Sequence, residues 1–376
     1  EIDIAWNLRT VRAPGQKWIA VTGTNGKTTT VEMTAAILKA AGIKATACGN
    51  VGDTVIDAVD RADAYEVLVL ELSSFQLHWA RQAQFQAAAI LNIADDHLDW
   101  HGSFDAYADA KFSILDRADV AILNADDGAV VTRANHFKGR KVFFSLDTPA
   151  PGEIGVVEEL LVDRGFVSDP QEAAMICELA DIVPTVPHNV SNALAAAGLA
   201  RAIGVPHEVI QKALQAFRPG RHRIETIHEA DGITWVDDSK ATNPHAASAS
   251  LMSHLSVVWI AGGLAKGADM NSLVKRCKGR IKAAILIGTD RDLIDKALTE
   301  FAPEVPRILI DAPSGYSRGG DSNALMEAVV SEAVKLAGPG DTVLMAPACA
   351  SMDQFISYTD RGDRFSAAVR KVVAHE

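Results

Sequence analysis

The residues with the clearest chemical content lie near the start of the chain, where apolar Ile19-Ala20-Val21 runs into Thr22-Gly23-Thr24-Asn25-Gly26 and then Lys27-Thr28-Thr29-Thr30. A small polar turn between a strand and a helix offers unpaired backbone N–H groups and a helix N-terminus to an anion. Lys27 adds a mobile positive charge, and Thr28 places a hydroxyl where the magnesium of a nucleotide is held. The generic phosphate loop has glycine where this chain has Val21, and the extra glycine falls at Gly23 instead. A glycine-rich turn that binds nothing is the plain alternative, and Lys-Thr directly after the last glycine weighs against it. Residues Gly23, Thr24, Asn25, Gly26, Lys27, Thr28 and Thr29 are therefore read as a mononucleotide-binding loop.

Acidic groups follow at strand ends. The apolar run Val67–Leu70 ends in Glu71, a position from which a carboxylate can hold magnesium; a solvated strand-end glutamate is the bland reading. Asp95-Asp96-His97-Leu98-Asp99 places acids and an imidazole after the next strand, and His97 there can ligate a second magnesium or orient a substrate. Lys111, on a predicted helix, reads from its neighbours as an ordinary solvated lysine. Asn189 and Asn192 stand three apart on one helix face, where their amides can read a heterocycle, although Asn189 can equally cap the helix. In the second half Arg221-His222-Arg223, Asp237-Asp238-Ser239-Lys240, Gly262-Gly263-Leu264-Ala265-Lys266-Gly267 and Ala348-Cys349-Ala350-Ser351 each follow or lead a strand. The last of these suits a small carboxylate. Cys349 lacks a histidine nearby in sequence, and no Gly-x-Ser-x-Gly elbow points to a hydrolase.

These groups need a scaffold of short strands and helices. Strands are predicted over Trp18–Val21, Val67–Leu70, Ala89–Ile93, Val120–Leu123 and Val142–Phe144, with helices over Thr28–Ala41, Phe104–Leu115 and Asn189–Ile203. Residues 148–187 are irregular and suit a small antiparallel addition. Phe217-Arg218-Pro219-Gly220 breaks the pattern, which then restarts with strands over Ile233–Val236, Val257–Ile260, Ala284–Ile287, Arg307–Ile310 and Val343–Met345. Helices there are expected over Pro244–His254, Asp292–Phe301, Ala324–Leu336 and Phe365–Val373. The class is α/β: a phosphate-loop ATPase domain with a mainly parallel sheet over residues 1–219, then a Rossmann-like doubly wound domain over 220–376.

Composition bounds the rest. The 376 residues are 48% apolar and 22% charged, as in ordinary α/β proteins, and the net charge of −12 argues against nucleic acid as a partner. Four scattered cysteines make no disulfide framework and point to a reducing, cytoplasmic setting, and no apolar run is long enough to span a membrane.

Together the motifs resemble the Mur ligases of peptidoglycan synthesis. The phosphate loop is shared across the wider superfamily, folylpolyglutamate synthases included. Leu70–Leu77, Asp238–Asn243 and Pro347–Phe355 are more specific to the D-glutamate-adding branch. The resemblance implies ATP and two magnesium ions, with UDP-N-acetylmuramoyl-L-alanine and D-glutamate joined through an acyl phosphate by a cytoplasmic monomer. It implies three domains, of which the first binds the uridine nucleotide. The chain begins with Glu1 just ahead of the central domain, so that first domain is expected to be absent. By the same resemblance Lys27 contacts the ATP phosphates, Thr28 and Glu71 hold one magnesium, and His97 helps hold a second with Lys111 after carbamylation by carbon dioxide. Asn50, Ser73 and Asp96 fall near the acyl substrate, while Asn189, Asn192, Arg223, Asp238 and Lys240 surround the nucleotide. Thr242, Lys266, Ser351, Met352 and Tyr358 form the D-glutamate pocket. Trp100-His101 stand where relatives carry Arg-Tyr, Met352 where leucine is familiar, and Tyr358 where phenylalanine is. A folylpolyglutamate-type ligase and a non-catalytic ATP-binding fragment are the alternatives.

Overall fold

A computed structural model describes residues 1–169, 171–311 and 322–373. It divides into two compact units, Glu1–Pro219 and Gly220–Glu376. In unit 1 the strands are β1 (Lys17–Thr22), β2 (Ala45–Gly49), β3 (Val67–Glu71), β4 (Phe85–Ile90), β5 (Ala118–Asn124), β6 (Arg140–Phe144), β7 (Glu153–Val157), β8 (Leu160–Asp163) and β9 (Ala174–Glu178). They form one sheet in the order β2-β3-β1-β4-β5-β6-β7-β8-β9. Neighbours from β2 through β7 are parallel, and β7-β8-β9 is an antiparallel extension.

Both faces of this sheet are covered, which is why its central strands read as unbroken apolar runs. Ile19 and Val21 of β1 enter a core with the helices Lys27–Ala40 and Pro187–Ala202, while Trp18 and Ala20 enter a second core on the opposite face. Parallel register brings the carboxyl ends of the strands to one edge: Gly49 pairs with Glu71, Val21 with Glu71, and Thr22 with Ile90. Ligands of open α/β sheets bind outside this edge.

Unit 2 contains β10 (Glu225–Ala230), β11 (Ile233–Asp237), β12 (Val257–Gly262), β13 (Ile281–Ile287), β14 (Arg307–Leu309) and β15 (Thr342–Met345), in the order β10-β11-β15-β12-β13-β14. Only β10 runs antiparallel to its neighbour among these described strands. Helices cover both faces here too: Val257, Trp259 and Ala261 join one core, and Val258 and Ile260 the other.

Some boundaries differ from the sequence reading. The strand expected over Ala89–Ile93 is Phe85–Ile90, because residues 91–97 leave the sheet to form the site. The helix expected from Phe365 begins at Tyr358, where the Ser357 hydroxyl accepts the Asp360 N–H as a cap. Strands β2 and β10 and the helices Ile2–Arg12, His207–Ala216 and Met270–Cys277 are additional.

Candidate active site

In unit 1 the chain leaves β1 at Thr22 and re-enters helix at Lys27. Gly26, the residue before the helix, has φ of 83°, and a Cβ there would collide with the Asn192 side-chain oxygen. Asn92 clamps the turn from the end of β4: its Oδ1 accepts the Asn25 N–H at 2.8 Å and its Nδ2 donates to the Asn25 carbonyl at 3.1 Å. The Thr24 hydroxyl lies 2.9 Å from the Tyr107 hydroxyl and accepts the Ala94 N–H at 2.9 Å. Lys27 Nζ donates to the carbonyls of Gly23 and Thr24, both at 2.9 Å, which holds its charge over the loop. Buried Asn192 reaches the loop through Gly26 and lies 3.4 Å from the Thr30 hydroxyl. Asn189 does not cap its helix. Val186 is the cap residue, and the Asn189 amide donates to the Pro184 carbonyl at 2.9 Å.

Glu71 ends β3 and is 2% exposed. One carboxylate oxygen accepts from Asn50 at 3.0 Å, and the other, Oε2, is buried with no hydrogen-bond partner among the described residues. A buried carboxylate oxygen left unpaired is costly, and a hard oxygen donor beside a phosphate loop fits magnesium. Ser73, two residues on, caps the helix Ser74–Trp79 through a reciprocal capping box with Gln76.

Lys111 is also 2% exposed, contrary to its reading as a solvated lysine from local sequence. Its Nζ donates to the Gly23 carbonyl at 2.8 Å and lies 3.4 Å from the Thr22 hydroxyl. Burial, reinforced by the Lys27 charge, pushes its pKa well below the ordinary lysine value, against the pull of Asp96 and Glu71. The structure thus brings Lys111, Glu71, Asp96 and the loop into one electrostatic neighbourhood. His97 stands in a left-handed conformation (φ 53°), its Nε2 3.6 Å from Asp96 and its ring 4.8 Å from Phe75. Phe75 also packs on Trp100 and His101, and His101 Nε2 lies 2.9 Å from the Ser74 hydroxyl. A cavity of about 700 Å³ opens beside Trp100 and His101, with Arg81, Asp109 and Arg117 on its wall.

In unit 2 three turns at the carboxyl ends of adjacent strands carry the named residues. The turn after β11 holds Asp238, Lys240 and Thr242, that after β12 holds Lys266, and that after β15 leads to Ser351 and Met352. Backbone hydrogen bonds lace them together: Ala348 N–H to the Ala241 carbonyl at 2.9 Å, Gly262 N–H to Pro347 at 2.8 Å, and Leu264 N–H to Ala350 at 2.8 Å. Gly263 is required there, since a Cβ at its φ of 131° would strike the Ala350 carbonyl. Lys240 Nζ lies 4.1 Å from the Tyr358 ring centre. Burial raises the Asp238 carboxyl to about 7, with Asp237 adding to the rise and Ser250, Ile224 and Arg223 opposing it. Ser351 is buried, Lys266 is exposed, and Met352 is 50% exposed. Cys349 is no nucleophile: burial pushes its thiol up to about 12.

Asn92, Tyr107 and Arg361 carry contacts that sequence reasoning gave no role. The proximity of Asn92 to Asp95–His97 was its one available signal.

Comparison with known proteins agrees across the whole chain. Residues 21–200 match the Mur ligase middle domain, and residues 222–349 match the Mur ligase glutamate ligase domain. The UDP-N-acetylmuramoylalanine–D-glutamate ligase of Streptomyces coelicolor is 51% identical over 382 residues, covering 100% of this chain and 79% of the relative. That of Thermobifida fusca is 50% identical over 376 residues, covering 98% and 78%. MurF from Acinetobacter baumannii shares the fold with a TM-score of 0.70 at 20% identity, covering 98% of this chain and 79% of its own. A pseudomurein peptide ligase type C from Methanothermus fervidus has a TM-score of 0.71 at 20% identity, covering 98% and 81%.

Proposed function

The chain belongs to the Mur ligase family, and from that premise we propose that it joins D-glutamate to UDP-N-acetylmuramoyl-L-alanine in cytoplasmic peptidoglycan-precursor synthesis. It is an ATP-dependent, ADP-forming ligase. The observation that carries the substrate assignment is the 51% identity, over the whole chain, to a ligase of that name. No helix among the described residues is long and apolar enough to cross a membrane.

A carboxylate does not condense with an amine at neutral pH, because its oxide is a poor leaving group. In the proposed sequence a substrate carboxylate oxygen attacks the γ-phosphorus of ATP, the bond to ADP breaks, and an acyl phosphate forms. The D-glutamate nitrogen attacks the acyl carbon, the carbon–oxygen bond to phosphate breaks, and the amine proton is released. Loop N–H groups and Lys27 orient and neutralise the transferred phosphoryl group. Glu71, through its unpaired oxygen, would hold one magnesium with Thr28, and His97 with Lys111 would hold a second. Magnesium bound there would screen the charge of the phosphates. Lys111 would act there as its carbamate: the neutral form of its amine, which burial favours, would add to carbon dioxide and lose a proton to give an anionic oxygen ligand. Asn50, Ser73 and Asp96 would face the acyl substrate, Asn189, Asn192, Arg223, Asp238 and Lys240 the nucleotide, and Thr242, Lys266, Ser351, Met352 and Tyr358 the amino acid.

The deciding assay measures phosphate release from ATP with UDP-N-acetylmuramoyl-L-alanine plus D-glutamate, against a folate plus L-glutamate. Release with the first pair is expected, and release with only the second would overturn the assignment. Lys27→Ala should lower that release by roughly 100-fold or more, and near-normal turnover would remove the loop from the mechanism. Lys111→Ala should be inactive and partly rescued by short carboxylates. Wild-type protein in ¹³C-bicarbonate should show a carbamate resonance that the variant lacks. A resonance unchanged in the variant would place the modification elsewhere.

A further inference from the structure

Strand β1 ends at Thr22 and helix resumes at Lys27, so only Gly23, Thr24, Asn25 and Gly26 make up the phosphate loop. Val21, where the generic loop has glycine, is still in the strand, buried and paired with Glu71. A turn this short is shaped by its neighbours, and here they are residues 91–94, which leave the end of β4. The Thr24 N–H donates to the Asn92 carbonyl at 2.9 Å, and the Ala94 N–H donates to the Thr24 hydroxyl at 2.9 Å. The Asn92 carboxamide pairs with both polar groups of Asn25, as a backbone peptide does in a sheet: Oδ1 accepts the N–H at 2.8 Å and Nδ2 donates to the carbonyl at 3.1 Å. Only this orientation of the carboxamide serves both groups, since an N–H needs an acceptor and a carbonyl needs a donor.

The anchor is itself held from the end of β5. Asn124 Nδ2 donates to the Leu91 carbonyl at 2.8 Å. The Ile93 N–H donates to Asp127 Oδ2 at 2.9 Å, and the other Asp127 oxygen caps the helix Gly128–Ala134. Loop and anchor lie in contact, because a Cβ on Gly23 would stand 3.0 Å from the Leu91 Cβ. This pairing decides which N–H groups can meet an anion. Those of Thr24 and Asn25 are both taken up by Asn92, so the cradle lies beyond them, at the N-terminus of the helix Lys27–Ala40, which no side chain caps. Gly26, at φ 83°, joins the clamped peptide to that helix. Where a phosphate can sit therefore depends on where Asn92 holds Asn25.

We propose that Asn92 is a positioning residue for the nucleotide phosphates: its carboxamide supplies the support that a four-residue loop lacks and fixes the anion cradle, so its loss weakens phosphate binding and spares the nucleoside. The inference rests on the mononucleotide reading of the loop. It is tested on the full chain, with magnesium present, by calorimetry with ADP and ligand-observed NMR titration with adenosine. Wild type, Asn92→Ala and Asn92→Gln are compared, with thermal melting of each unliganded protein. For Asn92→Ala the ADP affinity should fall by about tenfold or more, while adenosine affinity stays within about twofold. Glutamine keeps an uncharged amide and lengthens its arm by one methylene, which displaces Asn25. Asn92→Gln should show the same selective loss while melting closer to wild type. Equal losses of ADP and adenosine, or unchanged ADP affinity in Asn92→Ala, would reduce Asn92 to a structural strut. Should Asn92→Ala fail to fold, Asn92→Gln decides alone: unchanged ADP affinity there overturns the proposal. Wild-type protein that binds ADP no more tightly than adenosine overturns the reading of the loop instead.

Discussion

At the scale of single residues, the site gathers charges that would be unfavourable without a ligand chemistry to satisfy them. Glu71 is the sharpest case, buried with one oxygen engaged by Asn50 and the other unpaired. Glu71→Gln preserves shape and the Asn50 contact but removes the negative charge. The magnesium concentration for half-maximal phosphate release should then rise by about tenfold or more, with melting temperature unchanged or raised, since an unpaired buried charge is removed. An unaltered magnesium dependence would exclude Glu71 as a ligand. Lys27 stood out in the sequence because it opens a helix directly after a glycine turn, whereas Glu71 read from its strand end alone as a solvated glutamate, and its burial emerges only in the fold. Lys111 was equally hidden: Tyr107-Ala108-Asp109-Ala110-Lys111 looks solvated until the helix Phe104–Phe112 is docked with that lysine turned under Gly23. Burial of a long cationic side chain is a tertiary fact, and local sequence carries no signal for it.

At the scale of elements, the phosphate loop works because a strand and a helix meet at a residue that must be glycine. Gly26→Ala would place a Cβ against Asn192 in a left-handed conformation, a strain of roughly 1–3 kcal/mol before any packing shift. Calorimetry should show ADP affinity lost by about tenfold or more together with a lowered melting temperature. Unchanged affinity would mean that the loop does not contact the phosphates. The same two-sided burial that positions this junction made β1, β3, β5 and β12 readable as apolar runs. β2, Ala-Thr-Ala-Cys-Gly, offers little apolar bulk and emerges only through its pairing with β3. β10 is a sheet edge with little burial, and its sequence Glu-Thr-Ile-His-Glu-Ala has weak strand character. β4 opens with Phe-Gln-Ala-Ala-Ala, whose alanines suit a helix as well as a strand, so the expected strand shared only Ala89 and Ile90 with it.

At the scale of the whole molecule, the two units carry buried titratable groups of opposite sense, so pH should act on them differently. In unit 1, burial alone would raise Asp163, but hydrogen bonds from His207 and from the Phe166 and Gly165 N–H groups overcome it and hold its pKa below the usual value. A depressed acid contributes stability above its unfolded pKa, about 3.9, which is lost as pH falls through the folded value. In unit 2, the bond to Asp237 outweighs burial and raises the pKa of His222. That contribution is full below the unfolded histidine value, about 6.5, and is lost as pH rises through the folded one. Asp238, raised by burial to about 7, adds in the same direction, since its protonated form is favoured in the fold and its contribution fades as pH climbs from about 4 toward 7. Hydrogen exchange followed by mass spectrometry, corrected for intrinsic rates, resolves the units separately. Peptides spanning residues 157–166 should keep their protection down to about pH 4 and lose it below, while those spanning 222–238 should lose it as pH rises, first from about pH 4 toward 7 through Asp238 and then above about pH 6.5 through His222. Asp163→Asn should flatten the first response and leave the second intact. Parallel loss in both sets of peptides at either extreme would mean that global charge, rather than these buried groups, sets the pH dependence.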